Sequence, residues 1–515
     1  MSEAFPGLVL PPSAPAVPRL SAVVVLYRRA GEGVEVFWVK REKALAFGGF
    51  YAFAGGKVDR ADAAVPLRGA SGEEAAVRVA AARELFEEAG VLVAEGAERL
   101  GAEALRGLRK DLLEKRVGWA ELLARHGLAL RAEDFLEAGR WVTPDFSPVR
   151  FDARFFLVEA PAGAQAEWWP GELSAAEWVR PAEALARWAQ GTALLHPPNL
   201  HALRVTAAFD SVEQVRERLC SPPHCPAFIA QRIEFQQGVR IFPLRTPTLA
   251  PATHTNAYVL GNGELLLVDP GPEDAAELER FLAMVEGLVA DGLKPRAVVL
   301  TDHHEDHVGG ALQVKERLGI PLWCHARTAE RLAVKAERLL EDGEVVELAG
   351  TPVQRWRVLH TPGHARGHVC LVEERTRAAV VGDMVASVGT IVIDPPEGDM
   401  GQYLEQLARL RDWPVTTLYP AHGTAIPDGP AKLQEYLDHR AKREALIVAA
   451  VDEAGVTLSE VVQRAYVDTP PFLYPVAERS ALAVLLKLER EGRVREVEGR
   501  YHRVDMSVGG TGKLP

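Results

Sequence analysis

Cysteine is scarce in this chain: four among 515 residues, at positions 220, 225, 324 and 370. So few exclude a disulfide framework, and Cys220 and Cys225 have no second pair with which to complete a zinc site, so packed thiols are expected. Also lacking is any apolar run long enough to span a bilayer. The Pro-rich leader, residues 1–18, has neither the positively charged start nor the apolar core of a secretory signal. A soluble, cytoplasmic protein with no membrane partner is the expectation. Basic residues are not in excess: 59 Lys and Arg stand against 71 Asp and Glu, a net charge of −12. That balance argues against nonspecific polyanion binding and leaves room only for a local basic groove. Beyond the leader there is no low-complexity tract, and no internal repeat.

What is present is ordinary globular material, 48% hydrophobic and 25% charged, in a chain too long for a single core. Its chemistry concentrates in one stretch. An apolar run at 297–300 reads as a buried strand and opens directly into Asp302, His303, His304, Glu305, Asp306 and His307, after which Gly309 and Gly310 lead into a helix. Six consecutive acidic or imidazole side chains on a strand-to-helix turn call for a cation. Three further strand-like runs, at 353–359, 378–381 and 417–420, end in Gly-flanked His364, Asp383 and His422. Four strand ends bearing metal-ligand residue types point to one site at a sheet edge. For His368 and Cys370, which follow His364, packing or hydrogen bonding is the expected role.

The first third has its own acidic cluster. Apolar runs at 21–27 and 34–40 read as a hairpin, a Gly-rich turn at Gly55 and Gly56 follows, and a helix carries Arg83, Glu84, Glu87 and Glu88 up to Gly90. Three glutamates at i, i+3 and i+4 share a helical face and repel unless a hard divalent ion lies among them. Gly55-Gly56 with Arg-Glu-Leu-Phe-Glu-Glu-Ala-Gly-Val at 83–91 resembles the Nudix box. The resemblance implies an α/β/α sandwich in which Glu84, Glu87 and Glu88 hold Mg²⁺ or Mn²⁺ at a diphosphate, with Arg83 orienting them. Two departures stand out: a long gap between Gly56 and Arg83, and Ala75 where the box has an isolated Glu, with Glu74 beside it. The segments 140–157 and 171–178 look like the branch related to coenzyme A diphosphatases, which adds Glu172 as a candidate ligand. Water attack on a nucleoside-diphosphate-linked or coenzyme A-type substrate is implied. The alternative is a non-catalytic binding module.

The second constellation, from Asp269 through the central turn to His422, resembles the metallo-β-lactamase superfamily, whose fold is an αββα sandwich. By that resemblance Asp306, His307 and His422 hold one metal, His304 and His364 the other, and Asp383 bridges them. A hydroxide between two Zn²⁺, or Mn²⁺ or Fe²⁺, is then the nucleophile, with Asp306 at the catalytic centre. Asp302 stands where the family has its first His, a harder ligand that favours Mn²⁺ or Fe²⁺ or weakens that position. Asp269 is expected to support the ligands from outside. Amphipathic segments at 433–450, 457–466 and 480–491, followed by a hairpin turning at Gly499, read as a winged helix. With His439, Arg440, Arg443 and Glu444, the whole looks like the β-lactamase-like protein 2 family, whose members are endoribonucleases on single-stranded RNA. Thioester hydrolysis ranks second. His439 and Arg440 are expected either to close over the metals and meet a phosphate or to lie on a solvated helix face. The expected layout is an α/β multidomain chain: leader 1–18, Nudix-like domain 19–216, linker 217–239, metallo-β-lactamase-like domain 240–429, winged helix 430–505 and tail 506–515.

Overall fold

The structure is a computed structural model that describes residues 16–31, 33–43, 48–147, 149–209, 211–221, 233–248, 252–387 and 389–504. Most of the leader, the tail and Cys225 with its surrounding prolines lie outside the described residues. The chain divides into two compact units, one over Ser13–Arg240 and the other taking Ile241–Pro515.

In the first unit, β1 (Arg19–Ala30) pairs antiparallel with β2 (Gly33–Arg41) and with β3 (Ala54–Lys57). The hairpin is longer than the apolar runs alone suggest. Arg28 faces Glu35 across it and donates to that carboxylate at 2.8 Å, which continues the pairing past the hydrophobic residues. Helix α1 (Gly72–Ala89) follows β3 and stops at Gly90 in the left-handed region, φ 69°. Its small residues, Val79 to Ala82, and then Leu85 and Phe86 bury one face against the sheet. Helix α2 (Ala102–Leu113) comes next, before β4 (Leu136–Val142) and β5 (Phe151–Glu159), which runs parallel to β1. β6 (Leu173–Val179) closes on β2. Helices α3 (Pro181–Ala189) and α4 (Pro197–Ala207) contribute Trp188, Leu200 and Leu203 to the core on the opposite face. Residues 217–220, assigned to the linker from sequence, instead finish the helix Val212–Cys220, because Val215 and Leu219 bury in that same core.

The second unit holds two sheets. The first runs β7 (Val239–Arg245), β8 (His254–Leu260), β9 (Glu264–Val268), β10 (Lys294–Val299), β11 (Leu322–His325) and β12 (Arg338–Leu340). Helix α5 (Ala275–Ala290) covers its outer face through Leu278, Phe281, Leu282 and Val285. Between β10 and β11 lie the one-turn α6 (Glu305–Val308) and α7 (Ala311–Leu318). The second sheet runs β13 (Val345–Leu348), β14 (Gln354–His360), β15 (Val369–Glu373), β16 (Ala379–Gly382) and, after α8 (Met400–Asp412), β17 (Leu418–Pro420). α8 and α9 (Gly429–Ala450) pack on its outer face, which gives the expected αββα layering. The sheets are stitched where Asn256 Nδ2 and the Tyr258 hydroxyl both donate to the Pro420 carbonyl, at 2.8 and 2.6 Å.

Helices α9, α10 (Leu458–Ala465) and α11 (Tyr474–Arg490) with the hairpin β18 (Val494–Val497) and β19 (Arg500–Arg503) form the winged helix. It has no core of its own: Ile447, Val461 and Leu485 share one continuous cluster with Leu359, Ile393 and Tyr403 of the sandwich. Truncating that shared core should therefore be felt by the whole unit. Leu485→Ala is expected to destabilise it by about 2–5 kcal/mol, read as a lower urea midpoint, and an unchanged midpoint would contradict the shared core.

Candidate functional site

In the first unit, α1 presents Glu84, Glu87 and Glu88 towards the β3 turn. A Cβ on Gly56 would lie 2.4 Å from the Glu84 carboxylate, so glycine is what admits that side chain. Arg83, 8% exposed, spreads its guanidinium over Glu84 Oε1 at 2.8 Å, Glu87 Oε2 at 2.9 Å and the Lys57 carbonyl at 2.9 Å. Its other edge forms a two-pronged pair with Asp62, both bonds 2.9 Å. Asp62 is 1% exposed and sits in the long gap that departs from the ordinary box. It anchors the arginine from a place the motif does not predict. Glu88 accepts from Gly55 N at 2.8 Å through Oε2, while its buried Oε1 has no partner. Burial raises the Glu88 carboxyl to about 8, with help from Glu84, and raises Glu84 to about 7 against the pull of Arg83. Glu172 is exposed, and its charge is felt by both Glu84 and Glu88. The orphaned oxygen and the crowded carboxylates fit a hard divalent cation.

The second unit gathers its candidate ligands at strand ends. β10 runs into Asp302, fully buried, whose Oδ1 accepts from His304 N at 3.0 Å and folds the turn. α6 follows at once and carries Asp306 and His307. The loop after β9 passes so close beneath it that a Cβ on Gly271 would fall 1.7 Å from the Asp306 carbonyl. His364 comes after β14, Asp383 directly after β16 and His422 after β17.

These residues converge. Asp302, His304 and His364 form one group whose ligand atoms all lie within 4.8 Å of one another, and Asp306, His307 and His422 form another. Within the first, Asp302 Oδ2 is 3.0 Å from His304 Nδ1, and His364 Nε2 is 3.1 Å from that same nitrogen. Within the second, His422 Nε2 is 3.6 Å from Asp306 Oδ2. Asp383 reaches both, 3.3 Å from His364 Nε2 and 3.3 Å from His422 Nε2. His307 Nε2 and Asp383 Oδ1 are buried and have no hydrogen-bond partner. Buried polar atoms without hydrogen bonds, with Asp383 Oδ2 3.6 Å from His307 Nε2 and Asp383 Oδ1 3.3 Å from His422 Nε2, fit a cation.

Three of the four rings are aimed from behind. His307 Nδ1 meets Asp269 Oδ2 at 3.0 Å, and Thr301 Oγ1 donates to that oxygen at 2.6 Å. His364 Nδ1 donates to the Val392 carbonyl at 2.9 Å, His422 Nδ1 to the His254 carbonyl at 3.1 Å, and Thr255 Oγ1 to Asp306 Oδ2 at 2.8 Å. Such contacts fix which nitrogen is free for a metal. Asp269 takes the supporting role expected of it. His368 is fully buried, accepts from Asp383 N at 3.1 Å through Nε2 and meets Thr361 Oγ1 at 2.8 Å through Nδ1. Cys370 Sγ sits 3.4 Å from that same hydroxyl. Both are packing residues.

With this geometry stands a match of residues 250–422 to the metallo-beta-lactamase superfamily, and of 457–501 to the beta-lactamase associated winged helix domain. The chain is 32% identical over 262 residues to an atrochrysone carboxyl ACP thioesterase of Aspergillus chevalieri, covering 48% of this chain and 80% of that protein. The chain belongs to the metallo-β-lactamase superfamily. It is a metal-dependent hydrolase. A beta-lactamase-like protein 2 homolog of Caenorhabditis elegans is 30% identical over 246 residues, 47% of this chain and 80% of the relative. Among solved structures, a NUDIX hydrolase from Alicyclobacillus acidocaldarius is similar at 30% identity and a TM-score of 0.36, over 40% of this chain and 99% of that one.

Asp302, which the resemblance put at a first-His position, offers its carboxylate within 4.8 Å of ligand-type atoms of His304 and His364. Burial works against its charge, but His307, His304 and His364 hold it well below the ordinary carboxylate range. Asp383 is likewise held well down, by His422, His307 and His364 against burial. Burial in turn disfavours charge on His304 and His422, and Asp302 and Asp383 overcome it, raising each to about 9. His303 stays apart from the metal groups, its ring 4.6 Å from that of His304.

Neither winged-helix candidate joins the site. His439 is exposed. Arg440 is 6% exposed, donates to the Ile391 carbonyl and lies over the Tyr403 ring at 5.3 Å. It thus matches neither expected role: the core around Tyr403 takes the guanidinium in, so it is neither a phosphate contact nor a solvated residue.

Metal uptake must displace the protons on His304, His307 and His422. Below about 9 those imidazoles are charged in the metal-free protein, so Zn²⁺ affinity should rise with pH up to about 9. Adding Zn²⁺ at pH 7 in weak buffer should acidify the solution, and uptake with no proton release would contradict the charge arrangement.

Proposed function

We propose that the second unit is a dinuclear hydrolase of acyl thioesters and the first a Nudix-type diphosphatase, both directed at coenzyme A-type molecules. The observation that carries the dinuclear reading is the position of Asp383, within 3.3 Å of a histidine in each ligand group. Asp302, His304 and His364 would hold one ion and Asp306, His307 and His422 the other. Two ions there would polarise the scissile carbonyl and lower the pKa of a water between them. The protein's share is to keep both carboxylates charged and to aim His307, His364 and His422 from behind.

The two curated relatives carry different names, one a thioesterase and one a β-lactamase-like protein 2 homolog. The burial of Arg440 supports placing the thioester reading first. Arg440 was one candidate phosphate contact for the ribonuclease reading and its burial removes that contact, while the net charge of −12 offers no general attraction for RNA. Single-stranded RNA is the second reading, supported by the resemblance to the β-lactamase-like protein 2 relative.

In the first unit, Glu84, Glu87 and Glu88 would hold Mg²⁺ or Mn²⁺, which would neutralise charge on the substrate diphosphate, with Glu172 as a further candidate ligand. Arg83, held by Asp62, keeps two of the carboxylates in register. What supports the reading is the buried, unpartnered oxygen of Glu88 within a set of like charges.

The halves separate by mutation. His364→Ala should remove hydrolysis of an acyl-coenzyme A and strip metal from the second unit, while cleavage of the diphosphate continues. Glu87→Gln should do the reverse, lowering diphosphate cleavage by at least about 100-fold, more than loss of a supporting contact costs. Unchanged diphosphate hydrolysis in Glu87→Gln would leave the first unit as a binding module. Thioester inertness alongside cleavage of single-stranded RNA would transfer the assignment to the second reading.

Glu84 and Glu88, raised to about 7 and about 8, hold protons at pH 6 and release them by pH 8.5. Mn²⁺ binding to the first unit should therefore tighten across that range, measured by the loss of free-ion paramagnetic resonance signal in the His364→Ala protein. Affinity independent of pH would contradict a triad of buried carboxylates as the binding group.

A further inference from the structure

Residues 384–399 join Asp383 to α8, and they carry Val392, whose carbonyl fixes the His364 ring. The C-terminal helices hold this segment at successive points. The Tyr436 hydroxyl accepts from Ala386 N at 2.8 Å and donates to the Gly389 carbonyl at 3.0 Å. The Ile391 carbonyl, one residue before Val392, accepts from Arg440. Arg440 also lies over the ring of Tyr403, whose hydroxyl donates to the Met384 carbonyl at 2.7 Å. Further on, Arg479 pairs with Asp394 and donates to the Pro395 carbonyl at 2.9 Å, and Arg490 pairs with Asp399 at 2.9 Å. Asp399 N in turn donates to the Gly363 carbonyl at 2.8 Å, beside His364 itself.

A guanidinium is costly to bury, and a carbonyl in need of a donor can usually take one from water. Placing Arg440 here therefore gains most if the position of the carbonyl, and not merely its satisfaction, matters. Ile391 and Ile393 flank Val392 and are buried in the core shared with Ile447 and Leu485, so this stretch is set from the winged-helix side on both its polar and its apolar faces. From this we infer that the winged helix is an intramolecular clamp on the metal site. Arg440, assisted by Tyr436, is a positioning residue that sets the 391–392 peptide and through it the His364 ring. The affinity of the Asp302–His304–His364 group for its ion thus depends on a residue of α9, a helix that carries none of the candidate ligands. The inference rests on the assignment of His364 as a ligand, proposed above.

The full-length chain loaded with Zn²⁺ tests it, with bound metal counted by atomic emission and affinities measured against a chromophoric chelator. Arg440→Met should keep one ion at wild-type affinity and bind the other about 10–100-fold more weakly. Arg440→Lys should restore part of the loss, and Tyr436→Phe should move the same ion in the same direction by less. Two ions at wild-type affinity in both Arg440→Met and Tyr436→Phe would overturn the clamp. Equal weakening of both ions would also overturn it, since a general loosening of the unit would then be responsible. If Arg440→Met proves insoluble, Tyr436→Phe decides by the same two outcomes. A wild-type chain that takes up no ion would instead remove the metal-site assignment on which the clamp stands.

Discussion

Bringing the Asp302 and Asp383 carboxylates into the protein, fully and almost fully buried, is expensive, and the second unit is arranged around offsetting that cost. Without metal the imidazoles of His304, His307 and His422 carry the compensating positive charge, each raised by the carboxylates it faces. With metal the same atoms become a ready donor set. Ligands from four strand ends meet only if both sheets keep their registers, and the Asn256 and Tyr258 bonds to Pro420 tie the two sheets together next to His422.

The first unit meets a related problem by another route. Its three glutamates share one helix face, and a single buried guanidinium holds two of them together. Arg83 is in turn fixed by Asp62, from a segment that lengthens the motif. The departure that made the box look incomplete thus supplies its own anchor. The side chains gathered in the two units differ in chemistry, carboxylates in one and mixed imidazole and carboxylate in the other.

The convergence of the candidate ligands was legible in the sequence because each is a His or Asp placed where an apolar run stops, and those strand ends lie together. The winged helix was legible from three amphipathic segments and a hairpin. What orients the ligands was not. The carbonyls of His254 and Val392 aim two of the histidines, and a carbonyl has no residue identity to read. Thr255 is unremarkable in a strand until it meets Asp306 across the fold. Asp62 pairs with Arg83 over a separation that no helical or strand period links. Arg440 misled for the opposite reason: an arginine on a helix reads as solvated or ligand-seeking, and only the packing of α9 on the second sheet buries it.

The central claim is that Asp302, in place of a histidine, joins His304 and His364 to complete one of two adjoining ion sites bridged by Asp383. Anomalous diffraction from a crystal of the metal-loaded chain, recorded at the absorption edge of the bound metal, tests it most directly. The account predicts two peaks in the second unit, one within bonding distance of an Asp302 oxygen, His304 and His364, the other of Asp306, His307 and His422, with Asp383 touching both. A single peak, or two peaks with the Asp302 carboxylate turned away from the ion beside His304 and His364, would contradict it.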